Sequence, residues 1–194
     1  MAEHLMTRVM DSRSIFMFVR PLTFLKALLD GAMSDIEGLA ERRLSRLHRR
    51  LGGMIWRLTD LSPGERVAMS WLSEMMALKN AGDRFPTRVL WKDFDDFLAT
   101  PQSRLTAALT HFGIGGASDF ALKILAGPTM GQYAKAPACK FDVRHREQLL
   151  RQAEVRHAAE IRKGMDWLTR AAAAFRAVRD VLDSVDARPD QVKS

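Results

Sequence analysis

Arg20 stands where a cation could meet an anionic ligand. Ser14-Ile15-Phe16-Met17-Phe18-Val19 is an apolar run of β-branched and aromatic residues, and Arg20-Pro21 ends it before a helical pattern begins. Strand, basic residue, helix is the layout of an α/β unit, in which ligands collect at the carboxyl ends of strands. The other reading of Arg20 is a solvated charge at a strand end. Tyr133 and Lys135 lie in Gly127-Pro128-Thr129-Met130-Gly131-Gln132-Tyr133-Ala134-Lys135-Ala136-Pro137, which reads as a loop; a phenol and an ammonium there could hold an anion or an acceptor. Arg42, Arg43, Arg46, Arg49, Arg50 and Arg57 form a cationic stretch with no acid between Glu41 and Asp60. It reads either as a nucleic-acid contact or as a solvated rim that attracts anions, and the lack of aromatic residues among Arg42 to Arg50, with Trp56 alone beside Arg57, favours the second. His4, His48, His111, His145 and His157 are scattered without zinc or triad spacing, so no metal ligand and no catalytic residue is assigned.

The whole chain agrees with an anion-seeking domain. Its 194 residues carry a net charge of +7, with 47% hydrophobic and 27% charged residues, ordinary for a globular fold with a real core. The single cysteine, Cys139, allows no intrachain disulfide, and the expected compartment is the reducing cytoplasm. Apolar runs such as Ile15 to Val19 are too short to span a bilayer, and residues 1–14 lack the apolar core of a signal peptide.

The elements that would position these residues follow from periodicity. Phe24, Leu25, Leu28 and Leu29 give a short helix closing near Gly31. Residues 35–57 read as an amphipathic helix with Leu44, Leu47 and Leu51 opposite the arginines. Ser62-Pro63-Gly64-Glu65 is a capping box opening a helix with Val67, Trp71, Met75 and Leu78 on one face, expected to end at Asn80-Ala81-Gly82. Arg88 to Trp91 is a strand, Lys92 to Phe97 an acidic-aromatic turn, and Thr100-Pro101 starts a helix with Leu105, Ala108, Leu109 and Phe112 on its face and Gly113 at its end. Ser118 to Leu125 is a short helix, and Asp142 to Ser184 is the longest helical pattern, with a stripe of Ile161, Leu168, Ala171, Phe175, Val178 and Leu182. The fold class is therefore α/β and mostly helical, with a small parallel sheet from residues 14–19 and 87–91.

Phe94-Asp95-Asp96-Phe97-Leu98 with Pro101 resembles the "Y/F-E-D-F/L-L-x-x-P" segment of the sulfotransferase family, with Asp95 at its Glu position. Ser70-Trp71-Leu72-Ser73-Glu74 is similar to the "W-x-x-E" helix of the bacterial members, and residues 127–137 to their "G-P-x-M-x-x-Y-S-K-A-P" loop, with Ala134 replacing Ser. The likeness covers about Ser14 to Leu168. It implies a partial P-loop-type, doubly wound parallel sheet and transfer of a sulfuryl group from 3′-phosphoadenosine 5′-phosphosulfate (PAPS) to a hydroxyl or amine. It also implies that Arg20 binds the donor's 3′-phosphate, although Leu28 stands where the family has a companion Ser. Arg162-Lys163-Gly164 looks like the family's donor loop only superficially, because it falls inside a helical pattern.

Sulfuryl transfer needs a loop of backbone amides and a Lys around the 5′-phosphosulfate, and no G-x-x-x-x-G-K-[ST] pattern occurs here. The expectation is a single truncated domain over 1–184 with a polar tail at 185–194, inactive in isolation. Its partners would be an anionic nucleotide and a small-molecule acceptor, not nucleic acid or a membrane. Open strand edges in a truncated sheet would favour self-association. The alternative is a basic helical module that binds nucleic acid or a protein.

Overall fold

The computed structural model describes residues 2–31, 33–133, 136–140 and 142–187. They form two compact units, one of residues 1–19 and 82–148, the other of residues 20–81 and 149–194.

In the first unit, Ser14–Phe18 (β1) and Val89–Asp93 (β2) pair in parallel, in register from Ser14 opposite Val89 to Phe18 opposite Asp93. The small parallel sheet read from the sequence is present, with β2 extending past Trp91. Period-two alternation sets Phe16, Phe18, Val89 and Trp91 on one face. Phe16 and Phe18 meet Trp91 edge-on, with ring centroids 5.3 and 6.1 Å apart. Trp91 also explains why a helix passes through a glycine. The capping-box helix (α4, Pro63–Arg84) does not stop at Gly82, because a Cβ there would lie 2.8 Å from the Trp91 ring, and bare backbone lets the helix continue beneath the indole. The first residues form α1 (Ala2–Arg8), tied down by Arg88, whose guanidinium donates to the carbonyls of Met6, Val9 and Ser12 at 2.7–2.9 Å.

After β2 the expected polar turn is a helix, α5 (Phe94–Ala99), capped by Asp93, whose carboxylate accepts from the Asp95 amide at 2.9 Å. The next helix, α6 (Pro101–His111), has Pro101 in its first turn and stops at Gly113, φ +76°, as expected. Thr100 does not cap it; its hydroxyl donates back to the Asp96 carbonyl at 3.2 Å. Ala108 and Leu109 are buried while Phe112 is 48% exposed, so the apolar face is narrower than its spacing suggested. A hairpin of helices follows with α7 (Ala117–Leu125). The loop reading of residues 127–137 needs correction: Gln132–Tyr133 (β3) and Ala136–Lys140 (β4) form an antiparallel pair.

In the second unit, α2 (Pro21–Leu29) buries Leu25 and Leu29, and α3 (Met33–Leu51) buries Ala40, Leu44 and Leu47. The basic helix ends at Leu51 and not at Arg57, because Gly52 adopts φ +86° and turns the chain. Within α4, Val67, Trp71 and Met75 are buried, and so are Ala68, Met69, Leu72 and Met76: the helix is central and covered on several sides. Its capping box forms as read, Glu65 accepting from the Ser62 amide at 2.9 Å and Ser62 Oγ from the Glu65 amide at 3.3 Å.

The long C-terminal pattern is three helices, α8 (Val143–Arg156), α9 (Ala158–Ala174) and α10 (Arg176–Asp186). Phe175 is extended (φ −130°, ψ 116°), which lets α10 pack back on α9. The buried residues of α10 are Val178, Val181 and Val185, so the stripe expected through Leu182 rotates by one position. A single straight helix would have left one of these apolar faces in water.

Candidate functional site

Arg20 occupies the N-cap position of α2 with extended backbone (φ −61°, ψ 150°); its carbonyl accepts from the Phe24 amide at 2.9 Å, and Pro21 follows at the first helical position. The residue is half-buried and lies two positions past the end of β1, at the carboxyl end of a strand in a parallel pair. No acidic residue sits in the first turn of α2. Leu28, in the last turn of that helix, brings no hydroxyl.

Tyr133 ends β3, where it pairs with Ala136 of β4, and Lys135 lies outside the described residues. Arg162-Lys163-Gly164 lies within α9, where Gly164 is a packing residue and Lys163 pairs with Glu160 at 2.7 Å. Its likeness to a donor loop ends there.

The arginines of α3 divide by face. Arg43 Nε and Arg46 Nη2 both donate to Glu74 Oε1, at 3.1 and 2.5 Å, and Ser73 Oγ donates to the Arg43 carbonyl at 3.0 Å. Burial pushes the Glu74 carboxyl up, but the hydrogen bonds from Arg43 and Arg46 and their charges outweigh it and hold the group below its ordinary range. The Glu of the Trp71-x-x-Glu74 pattern therefore clamps α3 to α4, and Trp71 is core at 3% exposure. Arg42 and Arg49 face solvent.

The acidic-aromatic segment is similarly occupied with structure. Asp93 caps α5, and Asp95 pairs with Arg146 at 2.8 Å while that guanidinium lies over the Phe94 ring at 5.2 Å.

Two cations escaped the sequence reading. Lys92, near the carboxyl end of β2, is only 6% exposed, and Arg104 of α6 is 9% exposed. Burial lowers the Lys92 pKa, the Arg104 charge lowers it further, and Asp96 opposes both. A Lys in the strand Val89-Leu90-Trp91-Lys92-Asp93 was the available signal, since lysine is almost never fully buried without a partner.

A groove of about 690 Å³ in the second unit is walled by Trp56 and Trp167, 4.8 Å between ring centroids, with Arg57, Glu65 and Arg170 at its rim. Glu65 and Arg170 pair there at 2.8 Å. Among the described residues no group of three or more His, Cys, Asp or Glu could hold a metal ion, and no helix is long and apolar enough to cross a membrane. The chain matches no family model, no curated protein and no solved structure.

Proposed function

We propose that this chain is a sulfotransferase-type domain that recognises the 3′-phosphate of PAPS or of its product 3′-phosphoadenosine 5′-phosphate (PAP) through Arg20. The observation that carries this is the parallel register of β1 and β2, with Arg20 just past the end of β1 and Pro21 opening a helix free of acid in its first turn. The carboxyl ends of parallel strands followed by a helix N-terminus are where such folds receive phosphates. Those two strands are also the segments that the resemblance assigns to one P-loop-type doubly wound sheet. A guanidinium suits a phosphate because its fork of donors matches the oxyanion geometry. The 194 residues contain no G-x-x-x-x-G-K-[ST] loop, so the role assigned to them is nucleotide recognition, with sulfuryl transfer depending on a 5′-phosphosulfate cradle supplied from elsewhere. The acceptor would be a hydroxyl or amine.

Calorimetry with PAP and with 5′-AMP tests this reading. PAP should bind more tightly than 5′-AMP, and Arg20→Ala should erase the difference by weakening PAP about 10- to 100-fold, the usual worth of a charged hydrogen bond. Equal binding of PAP by wild type and Arg20→Ala would remove the donor-site reading. A nucleic-acid module is the less favoured class because Arg43 and Arg46 turn inward onto Glu74.

A further inference from the structure

Trp167 carries a donor that its own fold leaves unused. The residue sits in α9 with 2% of its surface exposed, and its indole Nε1 finds no acceptor among the described residues. A buried N–H without a partner is costly, and an indole nitrogen can only donate. The same residue lines the groove of about 690 Å³ in the second unit, together with Met54, Ile55, Trp56 and Leu61. That volume lies in the range of small-molecule sites, whose usual make-up is apolar walls with a few polar groups. Trp56 comes from the irregular stretch 52–57, which leaves α3 through Gly52. Its amide donates to His48 Nε2 at 3.3 Å, and its ring packs on those of Trp167 and Phe175, 4.8 and 5.8 Å between centroids. The ring is nonetheless only partly covered, and beside it Met54 is 93% exposed and Ile55 38%. Large apolar side chains are thus left in water at the mouth of a concavity. The rim charges cancel: Glu65 pairs with Arg170 at 2.8 Å, and Arg57 and Asp60, both exposed, are of opposite sign.

We propose that this groove binds an uncharged, planar aromatic small molecule that carries one hydrogen-bond acceptor. The ring lies against Trp56 and the side chains of Met54 and Ile55, replacing water on apolar surface. Its acceptor oxygen takes the Trp167 N–H. That N–H is covered in the structure, and Trp56, which stands outside any helix, is the wall that shifts to uncover it. The balanced rim offers no net field to a carboxylate, a phosphate or an ammonium, so the ligand is neutral. The groove owes nothing to Arg20, and either reading can fail without the other.

The test is nitrogen–proton NMR of the indole N–H groups of the four tryptophans in the full chain, titrated with naphthalene probes of one size. Naphthyl methyl ketone, neutral and with one acceptor oxygen, should shift the signals of Trp56 and Trp167, moving that of Trp167 downfield as its N–H gains a partner. Trp71 and Trp91, which do not line the groove, should stay in place. Ethylnaphthalene, which lacks the oxygen, and the charged naphthoate and naphthylmethylammonium should each bind several-fold more weakly. Trp56→Ala should weaken the ketone about 10- to 100-fold, the usual worth of a stacked aromatic ring. Shifts that spread over all four tryptophans or touch none, or a charged or oxygen-free probe that binds as tightly as the ketone, would overturn the proposal. So would Trp56 and Trp167 signals that move with protein concentration alone, which would give the groove to a second copy of the chain. Where Trp56→Ala fails to fold, the wild-type spectra decide.

Discussion

At the scale of single residues, Glu160 does more than its sequence position announces. Its carboxylate accepts from the Gly64 amide at 2.8 Å and from Lys163 at 2.7 Å, so a residue of α9 helps to cap the first turn of α4. Burial pushes its carboxyl up, yet the hydrogen bonds from Lys163, Gly64 and Ser62 prevail and its pKa lies below the usual 4.5. A depressed carboxyl stabilises the fold above its unfolded value, and that stability is lost as pH falls through the folded value. Wild type should therefore exceed Glu160→Gln in stability at neutral pH, with the gap closing below pH 4.5; urea titrations of both proteins across that range measure it. A gap that widens on acidification would show that the carboxylate is not what holds the cap. The Ser62/Glu65 box was legible because both partners lie within one turn. Glu160 was not, because its partner is 96 residues away and nothing local signals it.

Among elements, the crossing of α4 and α9 rests on two glycines. A Cβ on Gly164 would lie 2.7 Å from the Gly64 carbonyl oxygen and 2.8 Å from a methyl of Leu25, and one on Gly64 would overlap the Glu160 carbonyl. Gly164→Ala should cost about 1–3 kcal/mol in chemical denaturation, as overpacking does, and Gly64→Ala should cost more because its Cβ would run deeper into backbone, onto the Glu160 carbonyl oxygen. An unchanged midpoint for both would mean that the helices cross further apart. The sequence made both glycines look like other things, Gly64 part of a cap and Gly164 part of a family-like loop. Helix starts were the more readable feature, since Pro21, Pro63 and Pro101 each mark one. Ends were less so: Gly82 was read as a stop, but the Trp91 ring needed a residue without Cβ there. The break at Phe175 also went unread, because periodicity continues on both sides and only the fold-back of α10 onto α9 decides it.

For the whole molecule, the pairing of residues 14–18 with 89–93 was readable because both segments are short, apolar and followed by helix starts. The division into two units was not, since each unit is built from two stretches distant in sequence. The β1–β2 sheet has two strands, so each has one edge unpaired among the described residues. Such edges template association, and Phe112, Ile114, Phe120 and Leu122 are each at least 40% exposed around the α6–α7 turn. Light scattering should thus show mass rising with protein concentration; a constant monomer mass would contradict this. The central claim, that Arg20 receives a nucleotide 3′-phosphate, is tested most directly by a crystal structure of the chain with PAP. The account predicts the 3′-phosphate within hydrogen-bonding distance of the Arg20 guanidinium at the start of α2. PAP bound elsewhere, with Arg20 unchanged, would contradict it.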